Sequence, residues 1–144
     1  MVHNGNVLLV RRGREPLKGK WSIPGGLVEV GEKLETAVQR EIKEETGVEV
    51  EPLQMIGIFE RIERDPKPAV GRRDRRVRYH YVIVDYVCRL RGSRARDSKL
   101  PRLQPNSDIT EAEWAEGEML SLYKLSDQAE EVILKAMEFL DPDS

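Results

Sequence analysis

The amino-acid sequence predicts an α/β fold in which a sheet is covered by helices on both of its faces. Short runs rich in Ile, Val and Tyr have the composition of β-strands. Two other segments repeat apolar residues at the intervals of an amphipathic helix, and they alternate with the strand segments along the chain. Since no internal repeat or linker divides the 144 residues, we expect a single domain over residues 1–144.

The predicted strands differ in length. Asn6–Arg12 is a short apolar run that ends in two arginines, and residues 21–24 form a short extended segment that a proline and two glycines bring to an end. Residues 53–62 and Val77–Leu90 are longer and rich in Ile, Val and Tyr. Residues 112–115 form a further short strand around a tryptophan.

Two amphipathic helices complete the prediction. The first opens at Gly31 and Glu32 and closes at Gly47, a residue suited to the left-handed position after a helix end. The second begins with Ser126 or Asp127 as its N-cap. Its apolar residues recur at helical intervals, at Ala129, Val132, Ile133, Ala136, Met137 and Leu140. Such a stripe is typical of core packing, so we assign it no ligand.

The first helix carries a dense cluster of acids. Glu41, Glu44 and Glu45 stand at the spacing i, i+3 and i+4, on or beside the apolar edge of the helix. Converging carboxylates repel one another unless a cation lies between them, and hard divalent cations favour oxygen ligands. The alternative is a solvated acidic helix whose charges pair with neighbours such as Arg40. The three glutamates by themselves leave both interpretations open.

The spacing of residues 26–48 resembles the Nudix box, G-x5-E-x7-R-E-U-x-E-E-x-G-U, in which U is a bulky aliphatic residue. Every fixed position is present: Gly26, Glu32, Arg40, Glu41, Ile42, Glu44, Glu45, Gly47 and Val48. Residues 19–26, GKWSIPGG, also resemble the segment that leads into the box. Nine positions at fixed spacing form a specific pattern. The chain is therefore identified as a member of this family, which implies an α/β/α sandwich with a mixed sheet.

The resemblance also implies a chemistry. Nudix hydrolases cleave the pyrophosphate linkage of a nucleoside diphosphate joined to another group, X, with Mg²⁺ or Mn²⁺ as cofactor. By this resemblance Glu41 and Glu45 would be the principal metal ligands, Glu44 would bind a second metal or a water, and the Gly26 carbonyl would join them. Arg40 would orient a ligand carboxylate. A metal so held would lower the pKa of a bound water.

The general base stays open at this stage. Some family members use a glutamate of the box, and others use an acid from a later loop. Asp108 stands six residues before Trp114 and Glu111 stands three before it. Either could approach the metals, or neither does. Glu113 reads as a solvent-facing residue of the following strand.

Three residues outside the box are candidates for substrate binding. Arg11 and Arg12 end the strand that leads towards the box, and in related enzymes an arginine here reaches the substrate phosphates. The alternative for each is a solvated strand end. Trp21 could stack on a base or a ribose, although a tryptophan beside a tight turn also serves as packing.

The identity of X is only suggested by the sequence. In the family, a proline downstream of the box is one mark of ADP-ribose hydrolysis, and Pro66 stands 18 residues after Val48. Pro66 is equally well explained as a turn former. We expect ADP-ribose or another nucleotide sugar. The alternatives are a mutator-type pyrophosphatase of oxidised nucleoside triphosphates, and a module that binds nucleotide without cleaving it.

Charge is unevenly distributed along the chain. The net charge is only −2, which gives no general indication of nucleic-acid binding. Residues 61–78 nevertheless hold eight Lys or Arg against three acids, and residues 89–102 hold six against one. Both segments read as solvated loops. The functional alternative is a rim that steers a phosphorylated substrate, or RNA, towards the acidic cluster.

The remaining expectations concern the setting of the protein. Cys88 is the only cysteine, and no apolar run reaches the roughly 18 residues that a membrane span needs, so a reducing cytoplasm is the natural compartment. Family members usually carry an extra strand before the one that Asn6–Arg12 matches. Only a few residues precede it here, so we expect this first strand to be missing, either because the start was cut or misassigned or because a neighbouring chain supplies the strand. The resemblance also implies a homodimer.

Overall fold

The computed structural model describes residues 1–92 and 99–141. Its elements are β1 (Val2–His3), β2 (Asn6–Arg12), β3 (Trp21–Ser22), α1 (Leu34–Thr46), β4 (Val50–Arg64), β5 (Val77–Leu90), β6 (Ile109–Glu116), a 3₁₀ segment (Gly117–Tyr123) and α2 (Asp127–Leu140). The predicted bounds of β2 and β5 are confirmed, whereas β4 and β6 are longer than predicted. Residues 93–98 of the second basic segment lie outside the described residues.

Strand β2 is the centre of the fold because its alternate side chains pack in two different hydrophobic cores. Val7 and Leu9 pack in one core with Ile133 of α2. Leu8, between them, packs in the other core with Ile42 of α1. Side chains alternate between the two faces of a strand. The two helices therefore cover opposite faces, and the predicted α/β sandwich is confirmed.

The strands are arranged in two sheets. Strand β2 pairs with β1, β3 and β6, while β4 pairs with β5, and every pairing in the described part of the chain is antiparallel. This arrangement differs in detail from the single mixed sheet implied by the resemblance. The reason is that β4 and β5 follow each other as a long hairpin and satisfy their backbone hydrogen bonds with one another.

A short strand precedes β2, which corrects the expectation that the first strand is missing. Val2 pairs with Val7 and His3 with Asn6. The turn between them, at residues 4 and 5, has positive φ angles of 49° and 73°. Type I′ turns require positive φ at both central residues and match the twist of a hairpin. The strand is present, but it is two residues long.

The helix ends follow the predicted capping residues. Ser126 caps α2, and its side chain accepts a hydrogen bond from the Ala129 N–H at 3.2 Å. Gly47 ends α1 in the left-handed conformation, with φ 76°. Helix α1 begins at Leu34, later than predicted, because Gly31 has a φ angle of 83° and Lys33, the N-cap residue, is extended. In the described residues, no helix is long and apolar enough to cross a membrane.

Asp85, on β5, is a buried carboxylate that the predicted chemistry does not use. It is 7% exposed, and its Oδ2 atom has no hydrogen-bond partner among the described residues. Burial raises the pKa of Asp85 to about 6. Since an unfolded aspartate ionises near its ordinary value, the charged form destabilises the fold as the pH rises from about 4 to about 6, and fully above that.

We therefore expect Asp85→Asn to stabilise the protein at high pH only. The free energy of unfolding in urea should rise by about 3 kcal/mol at pH 8 and stay unchanged at pH 3.5. Asp74→Asn, at an exposed position between β4 and β5, is the control and should change neither value by more than about 0.5 kcal/mol. An equal gain for Asp85→Asn at both pH values would show that the carboxylate charge is not the cause.

Candidate active site

The candidate site lies where the turn at residues 25 and 26 meets the inner edge of α1. The backbone of Gly26 lies against the carboxylate of Glu41, so closely that a Cβ atom at position 26 would overlap that carboxylate. Only glycine allows such an approach of the chain. A Cβ atom at Gly25, by contrast, would have no atom within 4 Å. The two glycines of this turn therefore differ in what they permit.

Glu45 is the buried acid of the site. Its residue is 7% exposed, and its Oε2 atom accepts a hydrogen bond from the Gly25 N–H at 3.1 Å. The pKa of Glu45 is raised to about 7, chiefly by burial and also by the charges of Glu41 and Asp108, while the hydrogen bond from Gly25 and the charge of Arg12 oppose the rise. The site therefore holds negative charge that its own environment does not fully neutralise.

Arg40 is the cation that organises the remaining acids. Its guanidinium donates to both carboxylate oxygens of Glu32, at 2.7 and 3.0 Å, and to the Leu27 carbonyl at 2.9 Å. A third nitrogen donates to Glu41 at 2.8 Å and to Glu44 at 3.2 Å. The hydrogen bond from Arg40 lowers the pKa of Glu32 to about 2. Glu32 thus fixes Arg40, and Arg40 in turn orients Glu41 and Glu44.

The contacts of the three glutamates agree in part with each interpretation of the acidic helix, the metal site and the solvated surface helix. Glu41 and Glu44 are paired with Arg40, as the solvated-helix alternative expects, whereas Glu45 turns to the backbone of residue 25. Among residues 1–92 and 99–141, no three His, Cys, Asp or Glu side chains stand close enough to enclose a metal ion as they are placed. Binding of one metal by all three glutamates therefore requires their carboxylates to come closer together than they are here.

The donor set nevertheless fits a hard divalent cation. Glu41, Glu44 and Glu45 offer carboxylate oxygens on one edge of α1. The backbone of Gly26 lies against one of these carboxylates, that of Glu41. Oxygen donors of this kind are what Mg²⁺ and Mn²⁺ prefer. A cation there would also offset the burial and the carboxylate repulsion that together raise the pKa of Glu45.

The loop before β6 brings Asp108 to the α1 side of the site. The Asn106 N–H donates to the Glu45 carbonyl at 3.1 Å, and the Gly13 N–H donates to the Asp108 carbonyl at 2.7 Å. A Cβ atom at Gly13 would lie 2.9 Å from that carbonyl oxygen, so this approach also depends on glycine. The Asp108 carboxylate pairs with Arg14 at 2.9 Å. Backbone hydrogen bonds thus tie the loop to both α1 and the end of β2.

Glu111 lies on the other face of the sheet. It stands opposite Arg11 in the β2–β6 register and accepts a hydrogen bond from it at 3.3 Å. Arg11 shares the face of β2 that carries Leu9 and the α2 core, because the two are separated by one residue. The structure therefore places Asp108, and not Glu111, on the side of the box glutamates.

The three candidates for substrate binding make structural contacts in this chain. Arg11 Nε donates to the Gly19 carbonyl at 2.9 Å, and Arg12 Nε donates to the Pro16 carbonyl at 2.8 Å. Both arginines thus stabilise the loop between β2 and β3. Trp21 packs edge-on against Tyr123, with ring centroids 5.1 Å apart, beside the α2 core. The packing interpretation of Trp21 is therefore the one that its contacts match.

A family model identifies the protein family of this chain. A family model described as NUDIX domain matches residues 1–136. The chain belongs to the Nudix family. The resemblance read from residues 26–48 is confirmed by a match that extends far beyond the box.

Curated Nudix relatives match over part of their length. An ADP-ribose pyrophosphatase of Methanocaldococcus jannaschii is 44% identical over 64 residues, which are 44% of this chain and 38% of that protein. A human 8-oxo-dGDP phosphatase is 40% identical over 55 residues, which are 38% of this chain and 17% of that protein. The matched segment therefore spans well under half of the length of these relatives.

A solved structure supports the Nudix fold. The Nudix domain of Shewanella oneidensis NrtR, solved in complex with ADP ribose, superposes with a TM-score of 0.62 at 22% identity. The match covers 94% of this chain and 77% of that one. At this identity the likeness establishes the fold.

Two residues of this Nudix site were not predicted from the sequence. Gly13 and Arg14 both contact Asp108, through the backbone and the side chain respectively. The signal for Gly13 is a glycine that directly follows a strand ending in arginines. No comparable signal exists for Arg14, because its neighbours Arg11 and Arg12 have the same charge and the same apparent role.

Proposed function

We propose that this chain is a metal-dependent Nudix pyrophosphohydrolase whose substrate is ADP-ribose or a related nucleoside-diphosphate sugar. The observation that carries the proposal is the buried Glu45 beside Glu41 and Asp108, a concentration of carboxylates at the turn of residues 25 and 26. The 44% identity to an ADP-ribose pyrophosphatase supports the choice of substrate. A cytoplasmic setting is part of the proposal, because the lone Cys88 is buried as a free thiol.

The site must first overcome the charge of the substrate. A pyrophosphate is densely negative and repels an attacking hydroxide. When bound, Mg²⁺ or Mn²⁺ neutralises phosphate charge and lowers the pKa of a coordinated water. Glu41, Glu44 and Glu45, with the Gly26 carbonyl, are the proposed ligands. Arg40 is proposed to position two of these glutamates.

Proton transfer is assigned to the loop acid. Asp108 lies on the side of Glu45, and its carboxylate is held by one exposed arginine, so it is free to turn towards the substrate. We assign to it the proton of the attacking water. Glu111 is excluded from this role in the proposal because it pairs with Arg11 on the opposite face.

The two arginines at the end of β2 also differ in the side of the sheet that they contact. Arg12 acts electrostatically on Glu45 and so lies within reach of a phosphate held at the site. It is the proposed phosphate contact. Arg11 and Trp21 are the less direct candidates, because both contact the α2 side of the sheet. A contact between Trp21 and the nucleoside would require it to leave Tyr123.

A second substrate class is favoured by one specific observation. The human relative at 40% identity acts on 8-oxo-dGDP, which makes an oxidised nucleotide the alternative substrate. A module that binds nucleotide without cleaving it is the third candidate. Its difficulty is that all box glutamates are present in this chain.

The test is a substrate panel in Mg²⁺ that contains ADP-ribose, UDP-glucose, 8-oxo-dGDP and 8-oxo-dGTP. We expect kcat/KM for ADP-ribose or the sugar nucleotide to exceed that for the oxidised nucleotides by at least about tenfold. A reversed order would assign the chain to the oxidised-nucleotide class. Binding of any panel member by folded protein without turnover would establish the non-catalytic module.

The close approach of the Gly26 backbone to the Glu41 carboxylate gives a sharper prediction about the site itself. Gly26→Ala should displace the Glu41 carboxylate and lower kcat/KM by about 10- to 100-fold, because small misplacements of catalytic groups carry penalties of this size. Gly25→Ala is the matched control, since its added Cβ meets nothing within 4 Å. Equal activity of the two variants would contradict a role for Glu41 in its observed position. Steady-state kinetics with circular dichroism of both proteins makes the comparison.

A further inference from the structure

The outer part of the β4–β5 hairpin, residues 58–84, forms an arm whose two strands hydrogen-bond only with each other within the described residues. The end of this arm concentrates positive charge. Residues 61–78 contain eight Lys or Arg against three acids, whereas the rest of the chain contains 16 against 23. The small net charge of the whole chain therefore conceals a strongly basic local surface.

Most of these eight cations are not neutralised by the arm itself. Arg78 pairs with Asp65 at 3.6 Å, and Arg64 donates to the Arg75 carbonyl at 3.1 Å. Within residues 1–92 and 99–141, the other six side chains make no hydrogen bond or ion pair: Arg61, Lys67, Arg72, Arg73, Arg75 and Arg76. Six cations at the end of the arm are thus available to an anionic partner.

Aromatic rings lie among these cations. Tyr79 and Tyr81 share one face of β5, and their rings are stacked with centroids 5.8 Å apart and planes 19° from parallel. The guanidinium of Arg78 lies 5.7 Å from the centroid of the Tyr79 ring. Arg61 stands opposite Tyr81 in the register, on the same face. The outer end of this face therefore alternates rings with positive charges.

The same face changes in character towards the body of the fold. Phe59 stands opposite Ile83 there, and both side chains are half-buried. Tyr79, at the outer end, is 43% exposed. The acid of this face, Glu63, stands opposite Tyr79 and has one of its carboxylate oxygens buried. The solvent-accessible part of the face is thus aromatic and basic.

An open pocket of about 260 Å³ adjoins the exposed ring. Its lining brings Arg76 and Arg78 together with Tyr79 and Asp65. Asp65 is already paired with Arg78, and its N–H donates to the Arg76 carbonyl at 2.8 Å, which closes the loop of residues 65–76. The pocket therefore offers a ring for stacking beside an unpaired guanidinium, that of Arg76.

Two groups in one ligand would match this surface, namely a phosphate for the cations and a planar ring for the tyrosine. Single-stranded nucleic acid presents both at every nucleotide, and its binding proteins combine a basic path with aromatic side chains that stack on bases. A duplex offers the phosphates but keeps its base faces stacked on one another. An acidic peptide offers negative charge without a regular supply of rings.

We infer that the outer end of the arm binds single-stranded nucleic acid, with phosphates on the six unpaired cations and a base stacked on Tyr79. RNA and single-stranded DNA share this chemistry. The inference does not rest on the proposed hydrolase activity, because none of these residues belongs to the site on α1.

Fluorescence anisotropy with the full chain in EDTA tests this inference apart from any hydrolysis. The probes are a single-stranded RNA of about 20 nucleotides, longer than a usual binding site, the DNA of the same sequence, and the DNA duplex. All carry a 5′-hydroxyl, so no pyrophosphate is present. We expect at least one single strand to bind at least about tenfold more tightly than the duplex. The tighter of the two strands identifies the partner as RNA or DNA.

Salt and charge variants test the role of the cations. Neutralisation of about five phosphates should raise the Kd about 100-fold between about 50 and about 200 mM KCl. Arg75→Gln with Arg76→Gln should raise the Kd at low salt at least about tenfold and make this salt dependence shallower. Lys18→Gln with Lys33→Gln is the matched control, because it removes the same charge at exposed positions outside the arm. It should bind like the wild type.

Two substitutions of one residue test the stacking. Tyr79→Leu removes the ring and should raise the Kd about tenfold, whereas Tyr79→Phe keeps the ring and should bind like the wild type. Since these side chains are exposed, circular dichroism should show every variant folded.

Four results would overturn the inference. They are a wild-type protein that binds neither strand, a duplex bound as tightly as the single strands, an Arg75 and Arg76 variant as tight as the lysine control, and a Tyr79→Leu variant as tight as Tyr79→Phe. Vesicles of phosphatidylcholine and phosphatidylserine provide a further comparison. Tighter binding to these vesicles than to RNA or DNA would assign the arm to a membrane surface instead.

Discussion

Glu45→Gln is expected to abolish hydrolysis while making the metal-free protein more stable. The loss of activity follows from the removal of a proposed metal ligand. A metal held by Glu45 would contribute several kcal/mol of charge stabilisation to the transition state, so kcat/KM should fall by about 1,000-fold or more. The substitution preserves the shape of the side chain and removes only its charge. A structural collapse is therefore not the expected cause of the loss.

The gain in stability follows from the raised pKa of Glu45. An unfolded glutamate ionises near its ordinary value of 4.5, whereas burial raises the pKa of the folded group to about 7. The folded state therefore binds more protons between these values, and stability falls as the pH rises through this window. The cost is complete above pH 7 and amounts to about 3 kcal/mol. Glutamine carries no such charge and avoids the cost.

Unfolding in urea with EDTA measures this gain directly. At pH 8 the free energy of unfolding of Glu45→Gln should exceed that of the wild type by about 3 kcal/mol, and at pH 4 the two should agree. Glu35→Gln, at an exposed position in the first turn of α1, is the control and should retain both wild-type activity and stability. Full activity of Glu45→Gln, or a variant less stable than the wild type at pH 8, would contradict this assignment.

Asp108→Asn is expected to lower kcat by about 100-fold or more, whereas Glu111→Gln should change it by less than about threefold. The difference follows from the sheet, which places Asp108 beside Glu45 and Glu111 beside Arg11 on the opposite face. Because Asp108 is a proposed proton acceptor and not a metal ligand, the Mn²⁺ affinity of Asp108→Asn should stay near that of the wild type. Glu111→Gln is its matched control, three residues along the same segment.

A pH–rate profile separates the possible outcomes. The acidic limb of kcat in the wild type should disappear in Asp108→Asn and persist in Glu111→Gln. If Glu111→Gln shows the large loss and Asp108→Asn does not, Glu111 supplies the base and the assignment to Asp108 is wrong. If neither variant loses activity, a glutamate of the box supplies the base.

The parts of the fold that could be predicted are those governed by local patterns. The apolar run of Asn6–Arg12, the left-handed glycine after α1 and the serine cap of α2 each follow from a few neighbouring residues, and each is found as predicted. The α/β sandwich follows from the order of these elements. Their bounds are set by short-range preferences that the sequence displays directly.

The choice between Asp108 and Glu111 could not be made from the sequence. It depends on where β6 begins and on its register with β2, which includes an irregularity between Arg11 and Arg12. Strand β6 begins at Ile109, three residues before the predicted start, so Glu111 belongs to the strand and Asp108 to the loop. Register is a property of two distant segments, and a shift of one residue moves every side chain to the other face.

The contacts of Arg40 are a second feature that could not be predicted from the sequence. Its bond to Glu41 lies within α1, but its bidentate contact with Glu32 and its bond to the Leu27 carbonyl depend on the path of the loop before the helix. The sequence places these residues near one another without showing that one guanidinium serves them all.

The proposed activity of this site is the cleavage of a nucleoside-diphosphate sugar with the help of a divalent metal. The most direct measurement is the formation of AMP and ribose 5-phosphate from ADP-ribose as Mg²⁺ is titrated into EDTA-treated protein. We expect no product without metal, and a rate that rises and saturates with Mg²⁺ while the two products appear in equal amounts. Cleavage that proceeds at full rate in EDTA, or folded protein that leaves ADP-ribose and UDP-glucose intact at every Mg²⁺ and Mn²⁺ concentration, would contradict it.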